Sequence, residues 1–158
     1  MKRMIFYLAL LAAALAIPKE RTDLGKLKPV ETVSLYIERG EVVLATDTED
    51  LGKGKTVEQA LENMKETAAG IIYLDTADYL LVRKGAELWI ADMKRQLKGN
   101  VRICYAQPAV DITRAASFLT VHRPDMKLEE WTEGAGLQTL CIQGEHMILR
   151  NEKVENNA

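Results

Sequence analysis

The chain has few of the residues that build metal sites and disulfide scaffolds. Its 158 residues include two cysteines, Cys104 and Cys141, and two histidines, His122 and His146. Neither cysteine has a second ligand at metal spacing, so we expect no zinc site and no scaffold held by several disulfides. A single bond between the cysteines stays open, because sequence gives no Cα separation. For Cys104 we favour a buried free thiol, since the alternation in 101–105 suits a strand.

The chain also lacks an excess of positive charge. Its 21 Lys and Arg stand against 23 Asp and Glu, a formal net charge of −2. Such a balance offers little attraction to a phosphate backbone, so nucleic acid is not an expected partner. Apolar residues make up 47% and charged residues 28%, which is typical of a folded domain rather than of a disordered chain. The length suits a single domain.

Long apolar runs are missing everywhere except at the N-terminus. There Lys2 and Arg3 precede an apolar run at 4–17, which is shorter than the roughly 20 residues that span a bilayer. We interpret residues 1–17 as a signal peptide or a membrane anchor, and the small residues Ala14 and Ala16 leave cleavage open. Either interpretation places the domain outside the cytosol, exported or anchored at the cell membrane. A buried N-terminal helix is the alternative.

Composition divides the rest of the chain into three regions. Residues 18–30 are charged and contain two prolines and a glycine, which is typical of a linker. Residues 31–150 are predicted to form a single α/β domain. Residues 151–158 are polar and are predicted to be a disordered tail.

Hydrophobic periodicity predicts the elements of that domain. Two β-branched segments flank Arg39 and Gly40 and predict a hairpin with Val33, Leu35 and Ile37 facing the core. Further strands are predicted at 71–74, covered on both faces, at 79–82 and 101–106, and in a terminal hairpin at 137–142 and 146–149. Helices are predicted at 57–69 behind a capping box at Thr56, at 86–98, and from Asp111 to about Leu119. The sequence therefore predicts a small mixed β-sheet with two to three helices packed against it, after an N-terminal signal or anchor helix.

Two motifs resemble functional sites, a phosphate-binding loop and a pair of catalytic carboxylates, but neither is a good match. The run Gly52-Lys53-Gly54-Lys55-Thr56 ends like a phosphate-binding loop, yet its first glycine is replaced by Glu49, whose carboxylate would repel phosphate. We interpret 47–55 as a polar loop. Asp75 and Asp78 are candidate general acid and base groups at a strand end, but Asp and Thr are also natural turn formers, and we favour a turn.

The remaining candidates have simple structural interpretations. Ser34 and Ser117 have no histidine at a recognisable spacing, and His122 and His146 are interpreted as ordinary surface or packed residues. The charged stretch 127–133 around its tryptophan suits either a docking surface or a solvated face with one packed indole. The sequence thus assigns no catalytic, cofactor-binding or metal-binding residue and no cofactor.

The order of segments across 32–119 resembles a known family. It comprises the opening strand pair, the helix with TVEQALENM, the run IIYLD, the strand YLLV, a helix after Gly85, and the strand at 101–106. This order is similar to the N-terminal domain of the Ger(x)C family, lipoprotein subunits of the spore germinant receptors of endospore-forming bacteria. The lipobox cysteine of that family is absent here, so any anchor is the N-terminal peptide itself.

The resemblance implies a non-enzymatic binding or assembly module linked to sporulation or spore germination, with a domain similar to ring-building modules. Its implied partners are other protein subunits, including further copies of itself, and the membrane through the N-terminal segment. The alternative hypothesis is a small secreted enzyme with a carboxylate site at Asp75 and Asp78.

Overall fold

The computed structural model describes residues 24–151. The predicted signal or anchor at 1–17, most of the predicted linker, and the predicted tail beyond Asn151 lie outside the described residues. Within the described part, three α-helices pack on a mixed sheet of seven strands, which confirms the predicted fold class.

The elements alternate along the chain much as the periodicity predicts. The strands are β1 (Leu27–Pro29), β2 (Thr32–Glu38), β3 (Glu41–Thr46), β4 (Leu51–Gly54), β5 (Ile71–Tyr73), β6 (Tyr79–Val82), β7 (Arg102–Ala106), β8 (Thr139–Gln143) and β9 (His146–Arg150). The helices are α1 (Val57–Thr67), α2 (Ile90–Gln96) and α3 (Ile112–Val121). The sheet order is β4-β3-β2-β6-β7-β8-β9, in which β2, β6, β7 and β8 run parallel and the outer strands are antiparallel to their neighbours.

Both predicted hairpins are confirmed, and each turns at the expected glycine. Arg39 and Gly40 have φ of 54° and 81°, as a two-residue type I′ turn requires. In the second hairpin, Gly144 supplies a φ of 64°. Ile37, predicted to face the core, is 38% exposed, because the pairing of β2 with β6 ends two residues earlier, at Leu35.

The predicted helix caps are confirmed as well. The Thr56 Oγ1 accepts a hydrogen bond from the Gln59 amide at 3.2 Å, and the Asp111 Oδ1 accepts one from the Arg114 amide at 2.8 Å. These bonds satisfy amides that the first helical turn leaves without a partner. The first helix ends at Thr67, two residues before the predicted end. The second predicted helix starts as a 3₁₀ turn at Glu87–Trp89 before α2.

Two strands lie where the sequence predicted irregular chain. Residues 27–29, assigned to the linker, form β1, which pairs in parallel with β5, and the following Val30 is fully buried. The charge that suggested a linker is partly neutralised, because Lys28 Nζ lies 3.0 Å from a carboxylate oxygen of Asp50. Within the predicted polar loop at 47–55, residues Leu51–Gly54 form β4.

The prediction that strand 71–74 is covered on both faces is wrong. Ile72 is buried, but Ile71 and Tyr73 are 47% and 41% exposed. β5 pairs with β1 outside the large sheet, so only one side of this short ribbon packs against the domain.

The large sheet has a separate apolar core on each face. Leu80 and Val82 of β6 point to the first face and pack in one cluster with residues of α1 and α2. Leu81 of β6 and Cys104 of β7 point to the second face and pack in another cluster with residues of α3. The alternation of side chains along a strand produces this division.

Candidate functional site

A cleft of about 590 Å³ opens at the carboxyl ends of the parallel strands β2, β6 and β7. The cleft lies there because the connections after two adjacent strands pack on opposite faces of the sheet. The chain leaves β6 towards α2 on the first face, and it leaves the adjacent β7 towards α3 on the second face. Two neighbouring parallel strands whose connections separate in this way leave a crevice between them, which is where open α/β sheets bind ligands.

Cations and tyrosines line the cleft. Arg83 follows β6 directly, and its Cζ lies 4.1 Å from the centroid of the Tyr36 ring. The Nζ of the neighbouring Lys84 lies 5.9 Å from the centroid of the Tyr105 ring. Arg150, the last residue of β9, supplies a third cation, and none of the described lining residues is acidic. The described lining of the cleft is therefore basic, although the chain as a whole has a slight excess of acidic residues.

The two cysteines are free thiols on opposite faces of the sheet. The register pairs Ala106 of β7 with Leu140 of β8, so Cys104 shares the second face with them and Cys141 points to the first face. Both are buried and unbonded, which confirms the predicted free thiol at Cys104. Burial raises the pKa of Cys104 to about 12, so this thiol is inert at neutral pH. Cys141 lies in the wall of the cleft.

A second candidate region, here called the β9 surface, consists of the outer edge of β9 with Ile142, Met147 and Leu149. The register pairs Ile142 with Met147 and Leu140 with Leu149, which places all three of its side chains on the second face. Ile142 is 36% exposed, and Met147 and Leu149 are only partly buried against the second core. In the described part of the chain, β9 pairs with β8 alone.

The opposite sheet edge, at β4, is covered by α1. The backbone amide of Lys53 donates to the Asn63 Oδ1 on the helix at 3.0 Å. A Cβ built on Gly52 would lie 2.0 Å from the Ala60 carbonyl oxygen, so only glycine fits between this strand and the helix. The Lys53 side chain also donates to Glu38, and this bond lowers the pKa of that carboxyl. The glycines of the phosphate-loop-like motif thus serve helix packing, and Thr56 serves as a helix cap.

Asp75 and Asp78 do not converge on a common cavity. Asp75 lies in a 3₁₀ turn, Leu74–Thr76, and both carboxylates are exposed. The turn is closed by a 3.0 Å hydrogen bond from the Ala77 amide to the Leu74 carbonyl. Asp78 alone lines a small polar pocket with Arg102, at the amino end of β6, away from the cleft. The turn interpretation is therefore confirmed.

The other candidate residues are scattered over the structure. Ser34 is buried, Ser117 is exposed, and the ring of His122 stacks on Phe118 with 4.4 Å between centroids. His146 is exposed at the start of β9. The tryptophan of 127–133 is 8% exposed and packs in the first core, as a packed indole rather than an exposed anchor. Among residues 24–151, no three His, Cys, Asp or Glu side chains gather closely enough to hold a metal ion.

No protein-family model, curated protein or solved structure matches the chain. In the described range 24–151, no helix has the length and apolar character needed to cross a bilayer. Function is therefore inferred from the geometry of the cleft and of the β9 surface.

Sequence reasoning missed the residues of the cleft, although one local signal was present. Arg83 and Lys84 directly follow the apolar run of β6, and polar residues at the carboxyl end of a parallel strand are often functional. Tyr36 and Tyr105 lie on strands that are distant in sequence, and only the strand order brings them to the same cleft.

Proposed function

We propose that this protein is a non-enzymatic binding and assembly module whose domain lies outside the cytosol, exported or tethered through residues 1–17. The resemblance to Ger(x)C N-terminal domains supports a role in sporulation or spore germination. The observation that carries the assembly role is the β9 surface, a strand edge beside partly exposed apolar side chains.

The hairpin geometry determines which backbone groups of β9 face outward. Gln143 and His146 flank a two-residue turn, and such a flanking pair exchanges two main-chain hydrogen bonds. Bonded and non-bonded pairs alternate along an antiparallel ladder, so Ile148 and Arg150 also bond to β8. The N–H and C=O groups of Met147 and Leu149 therefore point away from β8, and they form the free side of the edge.

The partner that best fits this edge is a second copy of the chain. An antiparallel β9–β9 pair with its two-fold axis at Ile148 places Met147 of one protomer opposite Leu149 of its partner. Because these residues carry the outward groups, the pair forms four main-chain hydrogen bonds. The same pairing brings the partly exposed side chains of both copies together on the second face, which removes apolar area from water.

The test is the mass of the full-length protein in solution, measured by light scattering after size-exclusion chromatography. We expect a dimer for the unmodified chain and a monomer for the double variant Ile142→Lys and Met147→Lys, because two lysines in the pairing surface oppose strand addition. The matched control is Leu88→Lys, at a side chain that is 69% exposed and outside the β9 surface, and it should stay dimeric. All three proteins carry the same N-terminal segment, so a difference between them reports the β9 surface. Equal masses for the double variant and the control would overturn the proposal.

The cellular role is tested by fractionation of a host cell during growth and sporulation. The protein should appear in the membrane or spore-envelope fraction as sporulation begins. Recovery from the cytosol of growing cells would contradict the export and the link to sporulation. The β9 dimer is tested independently, by the mass measurement.

A further inference from the structure

We infer that the cleft at the carboxyl ends of β2, β6 and β7 binds a small organic anion with a planar, apolar body. This inference does not depend on dimerisation through the β9 surface. It rests on the position of the cleft, its charge, its aromatic walls and its size.

The basic lining of the cleft favours a ligand with negative charge. Arg83 and Lys84 directly follow β6 and Arg150 ends β9, yet all three line one cavity that has no acidic lining residue in the described part of the chain. A cavity with low-dielectric walls concentrates the field of such a cluster, so it attracts anions and repels cations. Away from the cleft Lys28 pairs with Asp50, and Glu38, which follows Ile37 of the lining, is paired with Lys53.

The two arginines have the donor geometry for an oxyanion group. A guanidinium carries five N–H donors in a planar fork that matches a carboxylate or a phosphate. The described contacts use few of these donors. Arg150 Nη2 donates to Gln143 Oε1 at 2.9 Å, and Arg83 stacks over Tyr36, which holds the plane of the guanidinium in position.

The rest of the lining suits the body of such a ligand. Tyr36 and Tyr105 provide aromatic surface on two sides, and Ile37 and Pro108 add apolar contact. The volume of about 590 Å³ is in the range of pockets that bury small molecules and is too small for a folded partner. A ligand with one oxyanion group and one planar, apolar portion satisfies both halves of the lining.

The probes are phenyl phosphate, benzoate, inorganic phosphate and phenol, each titrated into the full-length chain by isothermal calorimetry or by NMR chemical-shift changes. We expect phenyl phosphate or benzoate to bind more tightly than inorganic phosphate, and phenol to bind weakly or not at all. The two aromatic anions distinguish a phosphate-type ligand from a carboxylate-type ligand. Raising the salt concentration should weaken binding, because the attraction is largely electrostatic.

Three glutamine variants make the test specific for the cleft. Arg83→Gln and Arg150→Gln should each weaken the tighter aromatic anion at least tenfold, because each removes a charge and a bidentate donor set. The matched control is Arg114→Gln, at an exposed arginine on α3 that does not line the cleft, and it should bind as the unmodified chain does. Thermal unfolding of each variant verifies that it is folded.

Two results would overturn the inference. One is the absence of binding by both aromatic anions at millimolar concentration to a folded, unmodified chain. The other is an equal loss of affinity in all three variants, which would indicate attraction to net charge instead of recognition in the cleft.

Discussion

The two edges of the seven-stranded sheet differ in whether another element covers them. At β4, α1 lies against the strand, Asn63 accepts a hydrogen bond from the Lys53 amide, and Gly52 permits the close approach. At β9, the described structure provides no covering element, and Met147 and Leu149 remain partly exposed beside the edge. A strand edge left open is a template for pairing with another chain, and proteins usually block it. One sheet thus has one edge that a helix covers and one edge that no element of the described structure covers.

Removing the glycine at the covered edge should have the largest effect on stability. In Gly52→Ala the new Cβ would meet backbone atoms of α1, and helix and strand must separate. Overpacking of this kind typically costs 1–3 kcal/mol, so we expect a loss of about 3 kcal/mol in the free energy of unfolding by urea. The matched control is Gly136→Ala, where a Cβ has nothing within 4 Å, and its stability should be almost unchanged. Equal stabilities of the two variants would show that α1 does not pack closely against β4.

Removing the side chain that covers β4 should have a smaller effect. Asn63→Ala deletes the acceptor of the Lys53 amide, and we expect a loss of about 1 kcal/mol because a main-chain donor loses its partner. Asn63→Asp keeps an acceptor oxygen at the same place and should recover most of the loss. If the alanine variant is as stable as the original chain, or if the aspartate variant recovers nothing, this hydrogen bond does not hold the edge.

Local rules predicted the parts of the fold that depend on neighbouring residues. Arg39 and Gly40, Gly144, Thr56 and Asp111 act through turns and caps within a few residues of themselves, so their roles were visible in the sequence. The alternation of strand-like and helix-like segments was also sufficient to predict the mixed α/β fold class.

The elements that were missed depend on distant partners. The sequence of β4 is typical of a loop because it contains two glycines. The segment is a strand because β3 pairs with it and the helix that follows packs against it. β1 is three residues long and forms only against β5, more than forty residues away. The cleft has the same origin, since the strand order, which no local pattern gives, brings Tyr36 and Arg83 together.

The most direct test of the open edge is a disulfide across the proposed two-fold axis. In the β9–β9 pair, residue 148 of each protomer lies opposite itself in a non-hydrogen-bonded pair, where Cα atoms are about 4.5 Å apart and a disulfide can form. Ile148→Cys is introduced together with Cys141→Ser, because Cys141 lies directly opposite position 148 within the hairpin.

The control chain carries Lys53→Cys on β4, also with Cys141→Ser, and both proteins are oxidised and separated on a non-reducing gel. We expect a disulfide-linked dimer for the Ile148→Cys chain and a monomer for the Lys53→Cys chain. A monomer for both, or equal dimer yields from the two edges, would contradict the claim that β9 is the edge through which the protein assembles.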